Sequence, residues 1–291
     1  MRQASSALIS FLLSKQPCWL ADLFTITLLD GTVLRWTSAD QPITFGLHTW
    51  AAQGPMLQRS KWNMVNTIQV PELNINMMAG NDSTFNVGSL NIKQYMHNGG
   101  FDGARLQLER AVMPVASGFG NTTLGTVVIF NGRVSQTKIN AVGAEITVKG
   151  DNVLFNQYLP RNVYQTSCLH TLYDVGCTIN AASFTSSGAV DTGSTARVVL
   201  WATPPANISK YQLGYIRFTS GAAAGSVRTI RAISGSNGLV LPYPLYAAPS
   251  AGDTFQATFG CDKTQATCSG TFSNSQHYRG FPYVPSATLA F

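Results

Sequence analysis

Four cysteines stand in this chain as two distant pairs, Cys168 with Cys177 and Cys261 with Cys268. Sets of four thiolates hold structural zinc or iron–sulfur clusters, so a metal or cluster site is the first chemistry to consider. Eight residues lie inside the first pair and six inside the second. Thiols placed this way converge only if the chain folds back on itself. Spacings of eight and six do not resemble the tight two-to-four-residue turns of zinc ribbons, and the usual ferredoxin spacings are also absent. Spacing therefore leaves zinc and a cluster at similar odds, with four buried hydrophobic cysteines as the plainer alternative. Cys18 stands apart from the four and makes the total odd; it reads as a buried non-ligand. In a reducing cytosol, disulfides are the lesser use of such pairs.

The elements that must position these thiols read as strands. Ala21 to Leu29, then Asp30-Gly31, then Thr32 to Thr37 has the pattern of a hairpin with a tight two-residue turn. Ala7 to Leu13 reads as a short amphipathic helix before it. Leu106 to Val112, Val127 to Phe130 with Asn131-Gly132 after it, and Ala144 to Val148 are β-branched runs with turn punctuation. Val87 to Tyr95 fits a strand or a helical turn equally. Leu154 to Leu159 suggests a short helix ended by Pro160. From Ala181 onward, Ser-, Ala- and Gly-rich turns alternate with Ala196 to Trp201, Tyr215 to Thr219, Val227 to Ile233 and Leu239 to Leu241, a spacing expected of a small β-barrel or sandwich.

These runs give a mainly β chain in three parts. Residues 1–165 form an N-terminal β-rich region, 166–180 and 259–291 together form the cysteine region, and 181–258 form a small β domain inserted between the two pairs. An insertion of this kind works because domain termini commonly lie close together. The 291 residues suffice for a substantial core without staples. Charged residues make up only 11% against 45% apolar, a profile suited to a β-rich protein whose surface is partly covered in an assembly. The net charge of +6 comes from scattered rather than blocked basic residues, so no nucleic-acid footprint stands out. No apolar run is long enough to span a membrane, and no secretory cleavage region follows Leu13.

Three ordered segments separate the cysteine readings: Cys168-Leu-His-Thr-Leu-Tyr-Asp-Val-Gly-Cys177, Gly260-Cys-Asp-Lys-Thr-Gln-Ala-Thr-Cys268, and Phe272-Ser-Asn-Ser-Gln-His-Tyr-Arg-Gly-Phe-Pro282. Together they resemble the tail hub proteins of long-tailed bacteriophages and gene transfer agents. Weaker N-terminal matches are Asp30-Gly31 before Arg35-Trp-Thr, Gly46 before Trp50, and Gly99-Gly-Phe-Asp-Gly-Ala104. The resemblance implies a β-rich hub of the virion tail tip or baseplate, assembled in the bacterial host cytoplasm as a homotrimer. It further implies a [4Fe-4S] cluster held by Cys168, Cys177, Cys261 and Cys268, with zinc as the lesser alternative. The partners it implies are a distal tail protein, a tape measure protein and a central tail fibre or receptor-binding protein. His277-Tyr278 before Arg279 and Thr178 after Cys177 depart from the family pattern, where Asn-Phe and glycine are frequent.

No catalytic residues are expected. An iron–sulfur-dependent enzyme or redox sensor is the alternative function, but no nicotinamide, flavin or substrate signature accompanies the thiols. A cell-wall hydrolase is disfavoured because no zinc-protease or paired-carboxylate motif is present. His170 and His277 read as packing or hydrogen-bonding residues, and Lys263 and Arg279 as positive charge near the thiols or ordinary surface charge. Lys210, Arg217, Arg228 and Arg231 bias the inserted unit towards a polyanion, such as passing DNA or cell-surface polysaccharide, or simply towards water.

Overall fold

The computed structural model describes residues 4–61, 70–80, 83–155 and 164–284. It divides into two compact units, residues 1–157 and 158–291. Both are mainly β.

The first unit opens with α1 (Ser6–Leu13), whose N-cap Ser5 accepts the Leu8 amide. There follow β1 (Cys18–Thr27), β2 (Val33–Thr37), β3 (Ile43–Phe45), β4 (His48–Trp50), β5 (Met56–Arg59), β6 (Glu72–Met78), β7 (Asn86–Val87), β8 (Leu90–Asn91), α2 (Ile92–His97), β9 (Arg105–Pro114), β10 (Thr126–Ile139) and β11 (Gly143–Gly150). Seven strands make one antiparallel sheet in the order β2-β1-β9-β10-β11-β6-β5. Period-two burial fixes its register. On β6, Leu73, Ile75 and Met77 point inward and meet Val148, Ile146 and Ala144 of β11 directly across the ladder. β1 is buried on both faces: Phe24 and Ile26 enter the main core, while Ala21 and Leu23 pack with Ile43, Trp50, Ala111 and Met113 under the β3–β4 hairpin.

The sheet curls until its ends nearly meet. Asp22 of β1 accepts Arg110 of the adjacent β9 at 2.8 Å and also Arg59 of β5, the strand at the far end of the sheet order, at 2.5 Å. Only a nearly closed, barrel-like sheet allows both. The carboxylate is 14% exposed, so this charge pairing is partly desolvated.

Several sequence expectations change here. The β1–β2 hairpin is one residue longer than a two-residue Asp-Gly turn: Leu28 N–H donates to the Thr32 carbonyl and Gly31 N–H to the Leu28 carbonyl, with only Gly31 at positive φ (87°). That is a turn closed by a left-handed glycine, so Asp30 keeps an ordinary conformation. Asn131-Gly132 is not a turn at all, because β10 runs straight through it. Gly132 is needed there for close approach, since a Cβ would collide with the Lys149 carbonyl on β11. Val87 to Tyr95 splits into a small β7–β8 hairpin and α2. Residues 151–155 form a 3-10 turn, and the rest of the expected Leu154–Leu159 helix lies outside the described residues. Cys18 is half-buried rather than buried.

The second unit contains β12 (Thr185–Ala189), β13 (Val198–Leu200), β14 (Tyr215–Phe218), β15 (Val227–Thr229), β16 (Ala232–Ser234), β17 (Gly238–Val240), β18 (Thr254–Thr258) and α3 (Gln265–Gly270). They form a four-stranded sheet, β12-β18-β14-β15, and a three-stranded sheet, β13-β17-β16. The single run Val227 to Ile233 therefore supplies strands to both sheets. Between them lies a core of Trp201, Tyr211, Ile216, Phe218, Leu239 and Phe255 with smaller neighbours.

Candidate metal centre

Cys168, Cys177, Cys261 and Cys268 line one small pocket with a cavity volume of about 20 Å³. Leu172, Ile179 and Phe272 supply apolar wall, and His170, Lys263, Asn274 and His277 supply polar groups. Thiols far apart in sequence thus face a common space. Among the described residues, however, no group of three or more His, Cys, Asp or Glu side chains is arranged to hold a single metal ion.

Backbone hydrogen bonds tie the two cysteine segments together. Cys168 N–H donates to the Lys263 carbonyl at 2.9 Å, and Phe281 N–H to the Gln165 carbonyl at 2.8 Å. Side chains reinforce the join: the Tyr278 hydroxyl donates to the Thr166 carbonyl at 2.6 Å and the Tyr173 hydroxyl to the Phe259 carbonyl at 2.9 Å. Asn274 is the most connected of these residues. Its Nδ2 donates to the Cys177 carbonyl at 2.5 Å, its Oδ1 meets His277 Nδ1 at 2.8 Å, and its own carbonyl accepts the buried Cys268 thiol at 3.2 Å. One side chain and its backbone thereby bridge a cysteine from each pair.

Within the first loop, Asp174 accepts the amides of Cys177 at 2.6 Å and Thr171 at 2.9 Å. Those amides, Cys177's foremost, hold its carboxyl below the usual carboxylate range. In the second segment α3 begins at its N-cap Thr264 and carries Cys268 on its buried side. Two amides point at sulfur: Lys263 N–H to Cys261 Sγ at 3.3 Å and Arg279 N–H to Cys168 Sγ at 3.5 Å. Lys263 and Arg279 thus meet the thiols through their backbone amides.

The backbone here is strained. Tyr173, Thr178, Lys263 and Ser273, four of the six non-glycine residues at positive φ among the described residues, sit in the two cysteine segments. A β-branched threonine, Thr178, at φ 61° is costly. Lys263 at φ 63° turns its amide back onto Cys261.

Burial pushes the Cys261 thiol up, the Lys263 amide pulls it back, and Asp262, Cys168 and Cys177 add to the rise. Cys268 is likewise raised, first by burial and then by Cys168, Cys261 and Cys177. Burial also pushes the Tyr173 hydroxyl well up, so it stays a hydrogen-bond donor.

An aromatic chain joins the pocket to the small sheets: Trp201 meets Tyr211 at 5.2 Å, Tyr211 meets Phe259 at 4.7 Å, the tilted rings of Phe184 and Phe272 follow, and Phe272 meets Tyr173 edge on. The sequence alone did not single out Asn274, Asp174 or this chain. Asp174 had a signal in the turn-forming Asp-Val-Gly ahead of Cys177, whereas Asn274 had none.

No curated protein matches the chain. A solved chain described as belonging to the virion of a native gene transfer agent particle has the same fold, with a TM-score of 0.70 at 20% identity, covering 99% of this chain and 96% of that one. Residues 209–287, with the second cysteine pair, match a family described as phage conserved hypothetical protein BR0599. Residues 5–180, more than half of the chain and including the first pair, match the baseplate hub protein, N-terminal attachment domain. The chain belongs to this family of baseplate hub proteins.

Proposed function

We propose that this hub protein sits at the tail tip, joins the tail tube to the central receptor-binding fibre, and holds a [4Fe-4S] cluster through Cys168, Cys177, Cys261 and Cys268. Membership of the hub family makes it a structural component of a phage or gene-transfer-agent tail rather than an enzyme. Other tail components are its partners. A homotrimer around the tail axis, in contact with a distal tail protein and a tape measure protein, completes the reading. No helix among the described residues is long and apolar enough to cross a membrane.

One observation supports the cluster: four thiols from two distant segments wall a single pocket. A zinc ion pulls four sulfurs to about 2.3 Å from one point. A cuboidal cluster instead takes its thiolates at separate iron corners, so the ligands stand further apart. The two amides aimed at sulfur and the dry apolar wall are the surroundings that tune such centres. When bound, the cluster supplies four covalent links between the two segments, and its binding free energy adds to that of folding. Asn274 and Asp174 set the loops, and Phe272 and Ile179 give the sulfurs an apolar wall.

Anaerobic purification with visible absorption and parallel iron, sulfide and zinc analysis tests this on the native protein and on Cys261→Ser. About four iron and four sulfide per chain, lost in the variant, is the expected result. Stoichiometric zinc without sulfide would overturn the cluster while leaving the hub assignment intact.

A further inference from the structure

The four-stranded sheet of the second unit buries one face and leaves the other open. Ile216, Phe218, Phe255 and Ala257 point into the core, so the alternate residues of β14 and β18 point out. Register places Ser187 of β12 opposite Gln256 of β18, and Gln256 opposite Arg217 of β14. The result is one transverse row of hydroxyl, amide and guanidinium. All three side chains are exposed, and none has a hydrogen bond or ion pair among the described residues. The neighbouring row holds Thr185, Thr258 and Tyr215 on the same face. Together with Ala181 and Ala182 they line a cleft of about 340 Å³. No acidic side chain lines it.

We propose that this face binds a carboxylate-bearing polysaccharide. Arg217 presents a planar fork that matches a carboxylate, and the absence of acidic groups in the cleft leaves that charge for a ligand. Ser187 and Gln256 donate to and accept from sugar hydroxyls, and the half-buried ring of Tyr215 offers a plate for the apolar face of a sugar ring. The row spans two inter-strand spacings, about 10 Å, and carries a single cation, which suits a polymer with one carboxylate per two sugars. Nucleic acid fits less well, because binding its backbone calls for a series of cations and this cleft has one. Strands hold the row rigidly, so little ordering is needed on binding. The cleft shares no residue with the thiol pocket.

The full chain, purified anaerobically, is titrated by fluorescence polarisation with a labelled hyaluronan hexasaccharide, with neutral chitohexaose and with a single-stranded oligodeoxynucleotide. The expected result is saturable binding of hyaluronan, at least about tenfold weaker in Arg217→Gln and about threefold weaker in Gln256→Ala, with Arg217→Lys between native and Arg217→Gln. Unchanged melting of each variant shows that the fold is kept. No hyaluronan binding, binding indifferent to Arg217→Gln, or equal binding of chitohexaose overturns the proposal. Tighter binding of the oligodeoxynucleotide that is lost in Arg217→Gln also overturns it and makes nucleic acid the occupant.

Discussion

β11 meets β6 over an unbroken ladder from Gly143↔Met78 to Lys149↔Glu72, whereas among the described residues no strand of the second unit is longer than the five residues of β12 and β18. The first unit has long cross-strand contacts, one extended core and a smaller cluster under the β3–β4 hairpin. The second has two small sheets and, beside them, cysteine loops that concentrate positive-φ residues. Long ladders accumulate many small gains, so a single defect is diluted. Short strands and strained loops accumulate few, and they stay ordered only where something else over-determines them. On the proposed cluster, the difference separates a part held by its own packing from one held by a cross-link.

The strongest way to break this comparison is to remove the cross-link. Cys261→Ser, or anaerobic chelation of the native protein, should destabilise the second unit by more than about 4 kcal/mol, the range associated with loss of a metal centre. Hydrogen-exchange mass spectrometry would show peptides from 168–284 losing protection while those of β1, β9 and β11 keep theirs. Equal protection in both units after metal removal would mean that the loops stand without a cofactor.

Asp22 is the corresponding test of the first unit. Asp22→Ala leaves Arg59 and Arg110 without their shared partner where the sheet ends approach. Because the three groups are only partly buried, a loss of about 2 kcal/mol is expected rather than the larger cost of a fully buried pair. Urea unfolding should register it in the first unit alone. Asn274→Ala is expected to cost the second unit about 1.5 kcal/mol, since it orphans the Cys177 carbonyl and frees His277. Its melting midpoint measures this.

Glycine substitutions should have opposite signs in the two units. Thr178→Gly relieves a left-handed threonine at φ 61° while keeping its amide bond to the Asp174 carbonyl. Strain relief of ~1–2 kcal/mol, less the extra freedom glycine gives the unfolded chain, leaves a net gain of ~0.5 kcal/mol. Thr147→Gly in the middle of β11 relieves nothing and should cost ~1 kcal/mol. Two losses would show that the loop strain is not stored where the dihedral angles place it.

The same contrast governs what could be read beforehand. Strands of the first unit announce themselves because alternate residues face one core: Leu73, Ile75 and Met77, or Ala144, Ile146 and Val148, carry the period-two pattern in their side chains. Asn131-Gly132 misleads because glycine serves turns and close approaches alike, and only the neighbouring strand decides which. Val227 to Ile233 misleads because an apolar run does not reveal that it changes sheets midway. In the site, the thiols were legible from residue type and order, since few other chemistries use four cysteines. Asn274 was not, because its role rests on reaching the Cys177 carbonyl across the fold, a contact that no local pattern encodes.

The smallest expected effect is a pH dependence in the β1–β2 hairpin. Asp30 accepts the Thr32 amide at 2.8 Å, and that bond is the main cause holding its carboxyl below the ordinary carboxylate range. The Tyr95 hydroxyl reaches the other oxygen at 3.5 Å, and burial, then the Asp30 charge, raise the tyrosine in turn. A carboxyl depressed in the folded state contributes stability that is present above its unfolded value, near 3.9, and lost as pH falls through the folded value. The group is fully exposed, so the contribution is small and local. Amide exchange of Thr32, followed by NMR from pH 6 downward, should show the hairpin loosening only below the ordinary carboxylate range. In Asp30→Asn, where the side-chain oxygen remains but nothing titrates, that inflection should vanish while the hairpin persists. An inflection that survives the substitution would assign the titration to another group and remove Asp30 from the turn's electrostatics.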